Sequence, residues 1–211
     1  MLKRETAISL TGLGLGLSLL MLQFALTIPA RMATGASVVA SVVFYFSFFT
    51  VLSNIGVTLT YLASLTNWAR LDWFRRHQTR TMFAVLILIV MLVYHFLLAG
   101  IWQPAGLFKL ADIGLHYVAP LLYLTWWAML HRSEPLKLSQ IGTMMAPALI
   151  YIVYVFVRGA VSGLYPYPFI DAGILGYNST MINSLVLLVI SAAMMALFIG
   201  IDRLLLKFFQ K

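Results

Sequence analysis

Six long apolar stretches run along the chain, separated by short polar connections. They cover residues 8–28, 38–64, 80–101, 112–130, 141–163 and 180–202. A helix needs about 20 apolar residues to cross the hydrocarbon core of a bilayer, so each stretch predicts a transmembrane helix. The second stretch is long enough to tilt or to extend past the bilayer. The pattern predicts an all-α integral membrane bundle of six helices, forming a single domain over residues 1–211.

The lysines and arginines between these stretches are unevenly divided between the two predicted sides of the membrane. One side collects Lys3, Arg4, Arg70, Arg75, Arg76, Arg80, Arg132, Lys137, Arg203, Lys207 and Lys211, whereas the other has Arg31, Lys109 and Arg158. Cytoplasmic loops carry the excess of positive charge in membrane proteins. The charge pattern therefore predicts that both termini are cytoplasmic, as an even number of spans requires.

Composition supports a membrane protein and excludes several chemistries. Hydrophobic residues make up 62% of the 211 residues and charged residues 9%, which is far from a soluble domain. The net charge of +8 is explained by topology, so we expect no nucleic-acid partner. The chain has no cysteine, which excludes disulfides, thiolate nucleophiles and thiolate metal sites. No glycine-rich nucleotide motif occurs, and we expect neither a cofactor nor a metal.

Polar residues recur along the second stretch at helical spacing. They are Ser47, Thr50, Asn54, Thr58 and Tyr61. At about 100° per residue they share one sector of a continuous helix, which must face protein or water rather than lipid. The ordinary interpretation is that such hydroxyls bond their own helix or a neighbouring helix. The alternative is a functional stripe.

Two histidines lie within predicted spans, and an intramembrane histidine is a functional candidate. His116 is near the outer end of the fourth stretch, and His95 lies in the outer half of the third. Thr50 is expected near the middle of the second helix, from which it converges with His116 if that helix extends beyond the bilayer. A hydroxyl beside an imidazole suits nucleophilic acyl transfer, since threonine needs a nearby base. Asp112 is predicted either to orient His116 or to cap the fourth helix.

Three further residues complete the set of candidate site residues. Asn54 and Asn183 are candidate donors to the oxyanion of an ester-cleavage transition state. Arg158 is a candidate for binding a fatty carboxylate or a phosphate. Its simpler role is to extend toward the membrane interface.

Three short motifs occur in order: Phe48-Phe49-Thr50-Val51-Leu52-Ser53-Asn54, His116-Tyr117-Val118-Ala119-Pro120 and Tyr165-Pro166-Tyr167-Pro168-Phe169-Ile170-Asp171. Together they resemble the bacterial branch of the androgen-induced-gene superfamily. Its eukaryotic members include intramembrane hydrolases of fatty acid esters of hydroxy fatty acids. The resemblance implies a multispan helical fold in the bacterial cytoplasmic membrane. It also implies a threonine nucleophile at Thr50 and a histidine base at His116.

The predicted function is therefore hydrolysis of long-chain lipid esters within the membrane. One alternative is a non-catalytic lipid-binding or transport protein, although the spans lack acidic residues near their centres. A second is a b-type haem protein with His95 and His116 as axial ligands. A third is a structural partner or assembly factor. The oligomeric state does not follow from the sequence.

Overall fold

A computed structural model describes residues 2–130 and 134–209, and these residues form helices and connecting turns without a β-strand. The helices are α1 (Leu2–Ala33), α2 (Val38–Tyr45), α3 (Phe49–Leu65), α4 (Asp72–Arg75), α5 (His77–Val93), α6 (Gly106–Ile113), α7 (Ala119–Met129), α8 (Ile141–Met144), α9 (Ala146–Ser162) and α10 (Ala172–Phe209). Two π-helical turns, Tyr94–Leu98 and Gly114–Val118, extend α5 and join α6 to α7. The expectation of an all-helical fold is confirmed.

Five helical segments are long and apolar enough to cross a membrane. They are Arg4–Ala33, His77–Leu98, Gly106–Met129, Leu138–Ser162 and Ala172–Lys207. The pair α2 and α3 is a sixth candidate if the two are taken as one broken span. The described chain is therefore that of a multi-pass membrane protein with five or six candidate spans. Arg132 and Lys211, two of the cations used to predict orientation, lie outside the described residues.

The second apolar stretch is not one continuous helix, which corrects the sequence prediction. Helices α2 and α3 meet at an angle of 71°. At the break, the Ser47 hydroxyl donates to the carbonyl of Val43 at 2.6 Å, and the Ser47 backbone N–H bonds Phe44. Serine side chains compete with the backbone in this way and bend helices. Thr50 is consequently the second residue of α3 rather than a mid-helix residue, and Ser47 lies off that helix.

The contacts divide the chain into two compact units, Met1–Ser133 and Glu134–Lys211. In the first unit, α1 packs closely against α3 through glycines one turn apart. A Cβ atom at Gly12 would lie 2.3 Å from the Tyr61 ring, and one at Gly16 would lie 2.4 Å from the Thr58 hydroxyl. Small residues at this spacing let helix backbones approach closely in membranes. This packing holds α3, and with it Thr50, against α1.

The second unit contains α8, α9 and α10. Helix α9 ends at Gly163, whose left-handed φ of 68° suits a glycine at a helix end. The connection 164–171 then leads into α10, where an Asp171 side-chain oxygen accepts from the N–H groups of Gly173 and Ile174 at 2.9 and 3.3 Å. This cap satisfies two of the amides at the start of α10. The end of α9 and the start of α10 thus each have a local cause.

The close contact between α1 and α3 predicts a position-dependent effect of glycine substitution. Gly12→Ala forces a methyl group into the Tyr61 ring and should cost about 1–3 kcal/mol, as overpacking does. Gly14→Ala is the matched control, because a Cβ at Gly14 has no neighbour within 4 Å. Thermal unfolding in detergent should show a lower Tm for Gly12→Ala and an unchanged or higher Tm for Gly14→Ala. Equal Tm values for the two variants would contradict the packing described.

Candidate functional site

Thr50 and His116 meet in the first unit. The hydroxyl Oγ1 of Thr50 lies 3.2 Å from Nε2 of His116, although the residues are 66 positions apart in the sequence. Thr50 is buried and the His116 side chain is 14% exposed. The break before α3 provides Thr50 at a helix start, and the turn Gly114–Val118 provides His116. The sequence suggested that Thr50 and His116 could meet, and the structure brings them together.

The partners of His116 determine which ring nitrogen carries the proton. Its Nδ1 lies 2.9 Å from the backbone carbonyl oxygen of Asp112 and 3.1 Å from the carboxylate Oδ1 of the same residue. A carbonyl oxygen can only accept, so Nδ1 must donate. The neutral ring then has a lone pair on Nε2, directed at Thr50. In this tautomer the Thr50 hydroxyl donates to His116, which is the arrangement that a nucleophile and its base require.

Asp112 orients His116 and does not cap a helix. Helix α6 begins at Gly106, so Asp112 lies inside it, and the capping interpretation is wrong. Its second carboxylate oxygen accepts a hydrogen bond from the Tyr94 hydroxyl. A buried carboxylate is costly unless its oxygens have partners, and here both do. The ring of Tyr94 also stacks on His116, with centroids 3.9 Å apart. Tyr94 thus fixes both the carboxylate and the imidazole.

Pro120 explains how the segment carrying His116 is joined to α3. In the π-helical turn, the N–H of Ala119 bonds the carbonyl of Gly114, five residues earlier. The next bond of that register would run from residue 120 to Leu115, but proline has no N–H. The side-chain amide of Asn54 supplies the missing donor at 3.2 Å from the Leu115 oxygen. A proline in one helix is thereby matched by an asparagine in another.

The same Asn54 nitrogen donates to the carbonyl of Thr50 at 2.8 Å. Both hydrogens of the amide are directed at backbone oxygens on the two sides of the Thr50–His116 pair. This geometry conflicts with the sequence hypothesis that Asn54 donates to a reaction oxyanion. Asn54 is instead a positioning residue that ties α3 to the segment preceding α7. Thr58, two turns from Thr50, bonds its own i−4 carbonyl at Asn54, as the ordinary interpretation of the stripe expects.

Apolar side chains surround the pair. Val51 and Leu115, the sequence neighbours of Thr50 and His116, pack in one buried cluster with Leu19, Leu20 and Ile28 of α1. A Cβ at Gly114 would lie 2.3 Å from Leu19, so α1 approaches the π-helical turn closely. Apolar surroundings of this kind strengthen the polar contacts beside them.

His95 does not join the pair. It is exposed, and its Nδ1 lies 3.1 Å from the hydroxyl of Tyr117. The haem alternative needs an available ring nitrogen on each histidine, whereas both nitrogens of His116 are engaged by Thr50 and Asp112. The geometry therefore disfavours His95 and His116 as a pair of axial ligands.

The two remaining candidates belong to the second unit and contact its connecting segment 164–171. Arg158 donates from Nη1 to the carbonyl of Leu164 at 2.7 Å, and Asn183 donates to the carbonyl of Phe169 at 2.8 Å. Each side chain therefore fastens this segment to a helix. These bonds give Arg158 and Asn183 structural roles within their own unit. Their proposed parts in anion binding and oxyanion stabilisation stay predictions.

Tyr94 contacts both Asp112 and His116, and the sequence analysis missed it. A signal for it exists, since Phe83, Ile87, Val90 and Tyr94 follow each other at three- or four-residue spacing along α5 and its extension. These residues are all buried, so Tyr94 continues the inward face and His95 leaves it.

Removal of the Tyr94 hydroxyl tests its positioning role. Tyr94→Phe keeps the ring on His116 but takes the donor from Asp112. In the ester cleavage proposed below, kcat should therefore fall on the order of tenfold with KM little changed, the size seen when a metal-bound histidine loses such a partner. Tyr117→Phe is the control, because Tyr117 contacts the Tyr94 ring but not Asp112. Steady-state kinetics and Tm should be measured together. Equal kcat values for Tyr94→Phe and wild type would refute the role.

Comparison with protein-family models, curated protein sequences and solved structures gives no match. The resemblance to the androgen-induced-gene superfamily therefore stays a prediction from three motifs. What bears on function is the geometry of the residues themselves. That geometry is a buried threonine hydroxyl, an imidazole in the accepting tautomer, and a carboxylate and tyrosine that hold the imidazole in place.

Proposed function

We propose that this protein is an intramembrane lipid ester hydrolase in which Thr50 is the nucleophile and His116 the general base. The observation that carries the proposal is the 3.2 Å contact between Thr50 Oγ1 and His116 Nε2. It is supported by the two contacts of His116 Nδ1 to Asp112, which leave Nε2 as an acceptor. Nucleophile, base and orienting acid are the three roles of a hydrolytic triad.

The first half of the reaction forms an acyl-enzyme. Thr50 Oγ1 attacks the ester carbonyl while its proton moves to His116 Nε2, and the tetrahedral oxyanion collapses with loss of the alkoxide, which takes that proton from His116. The positive end of the α3 dipole lies at Thr50 and favours the negative charge that develops there. Asp112 stabilises the imidazolium that exists between the two proton transfers.

The second half returns the enzyme to its starting state. Water gives a proton to His116 Nε2 and adds to the acyl carbon, after which the bond to Thr50 breaks and the proton returns to Thr50 Oγ1. The products are a fatty acid and an alcohol. Because the pair is bordered by Leu19, Val51 and Leu115, the proposed substrates are long-chain esters such as fatty acid esters of hydroxy fatty acids. The ester reaches the site from the bilayer.

We also propose six spans, with the broken pair α2 and α3 counted as one, and both termini cytoplasmic in a bacterial cell membrane. The support is the distribution of lysine and arginine and the alternation of candidate spans along the chain. In this orientation the start of α3 and the turn carrying His116 lie toward the outer face.

Turnover by single variants tests the mechanism. Purified protein in detergent should hydrolyse a long-chain ester of a hydroxy fatty acid. Thr50→Ala and His116→Ala should each lower kcat by about 10³-fold or more, the size seen when a triad member is removed. Thr50→Ser should retain measurable turnover because it keeps a hydroxyl at the same position.

Thr58→Ala is the matched control on the same helix. Its hydroxyl donates to the carbonyl of Asn54 in its own helix and forms no bond with Thr50 or His116 among the described residues, so turnover should stay at the wild-type level. Loss of turnover in Thr50→Ala counts only if its Tm matches that of wild type. Full activity of folded Thr50→Ala protein would contradict the mechanism. An inactive wild-type protein would favour a lipid-binding or transport role.

The absence of cysteine from the chain allows a direct test of orientation. Single cysteines at Lys109 and at Lys137 should react oppositely with a membrane-impermeant maleimide applied to intact cells. Lys109→Cys should be labelled from outside, whereas Lys137→Cys should be labelled only after the membrane is permeabilised. Labelling of both positions from the same side would refute the topology.

A further inference from the structure

Arg31 is a cation near the end of α1 that has no matching anion among the residues described. Its guanidinium carbon lies 4.5 Å from the centroid of the Phe44 ring. The side chain is partly buried, and its Nε is buried without a hydrogen-bond partner. Among the residues that the structure describes, no carboxylate forms an ion pair with Arg31, and no acceptor receives a bond from it.

The lack of hydrogen-bond acceptors among the described residues is unusual for a guanidinium. The group carries five N–H donors and a permanent charge. Arg75, by comparison, donates to the carbonyls of Ala63, Thr66 and Trp68, and Arg158 is engaged by Leu164. Within the described ranges, the interaction of the Arg31 guanidinium is with the face of Phe44. Stacking on an aromatic ring holds the plane of the guanidinium and leaves its edge to bind an anion.

Contacts connect Arg31 to the neighbourhood of the reacting pair. The Phe44 ring packs edge to face on Phe48, with centroids 5.0 Å apart. Phe48 is the residue that precedes α3, two positions before Thr50. On α1, Ile28 lies one turn before Arg31 and packs in the cluster that contains Val51 and Leu115. Arg31 therefore stands at the rim of the apolar cluster that borders Thr50.

We propose that Arg31 binds the anionic head group, a carboxylate or a phosphate, of a lipid whose acyl chain lies against the partly buried side chains, such as Val42 and Phe48, that pack on this cluster. A planar guanidinium pairs with two oxygens of either group. The apolar side chains at the edge of the cluster contact the acyl chain, and Arg31 binds the charged end. The inference rests on the proposed function only for the position of the ester at Thr50, since binding of the anion needs no chemistry.

The test measures equilibrium binding to full-length Thr50→Ala protein in an uncharged detergent, so that no turnover intervenes. Three probes of equal chain length are compared: a fatty acid, an alkyl phosphate and the methyl ester of the fatty acid. Adding Arg31→Gln should weaken binding of the anionic probes by about ten- to hundredfold and leave the methyl ester unchanged. The affinity of Arg31→Lys for the anionic probes should lie between that of Arg31→Gln and that of the protein with Arg31. Lysine keeps the positive charge but cannot bind two oxygens in the planar geometry of arginine.

Lys109→Gln is the matched control, since it removes an exposed positive charge from α6 of the same unit. It should leave the binding of all three probes unchanged. The ratio of carboxylate to phosphate affinity in the Arg31 protein identifies the preferred head group. Equal loss for the methyl ester and the anions, or no loss for either anion, would overturn the proposal. Anion binding through Arg31 in a protein without esterase activity would uphold this inference while refuting the proposed function.

Discussion

The hydrogen bond between Thr50 and His116 joins two segments that each depart from a regular α-helix. Thr50 lies just after the 71° bend between α2 and α3, and His116 lies in a π-helical turn. An unbroken helix would place Thr50 in mid-helix, away from a helix start. Without the π-helical turn, the N–H of Ala119 would bond the Leu115 carbonyl, and that carbonyl would not be left to accept from Asn54. The contact depends on both irregularities, which often mark functional sites.

The polar groups around this contact stabilise one another within an apolar bundle. Asn54 donates to the carbonyl left without a partner by Pro120, and Tyr94 and His116 share the two oxygens of Asp112. An unpaired buried polar group costs about 1–3 kcal/mol, so each pairing favours one arrangement over its competitors. The result is a base held in one orientation and one tautomer before any substrate arrives. Such preorganisation is what ester cleavage by a weak nucleophile requires.

Hydropathy was sufficient to predict the helical class and the approximate positions of five candidate spans, because long apolar runs have few other stable structures in a bilayer. Thr50, His116 and Asp112 could be selected because polar groups are expensive in hydrocarbon. The bend at Ser47 and the π-helical turns escaped prediction, since they arise from single side-chain bonds and from tertiary packing. For that reason Asp112 was open to a capping role and Tyr94 was overlooked. Arg31 could be selected only from the structure, because the sequence does not show that its guanidinium lacks an acceptor among the described residues.

The central claim is that Thr50 becomes acylated with His116 as its base. A long-chain alkyl fluorophosphonate, which reacts with activated hydroxyl nucleophiles, tests it directly when followed by mass spectrometry of peptides from the labelled protein. A single adduct on Thr50 is expected, and this adduct should be absent from folded His116→Ala protein. An adduct on another residue, or equal labelling of Thr50 without His116, would contradict the claim.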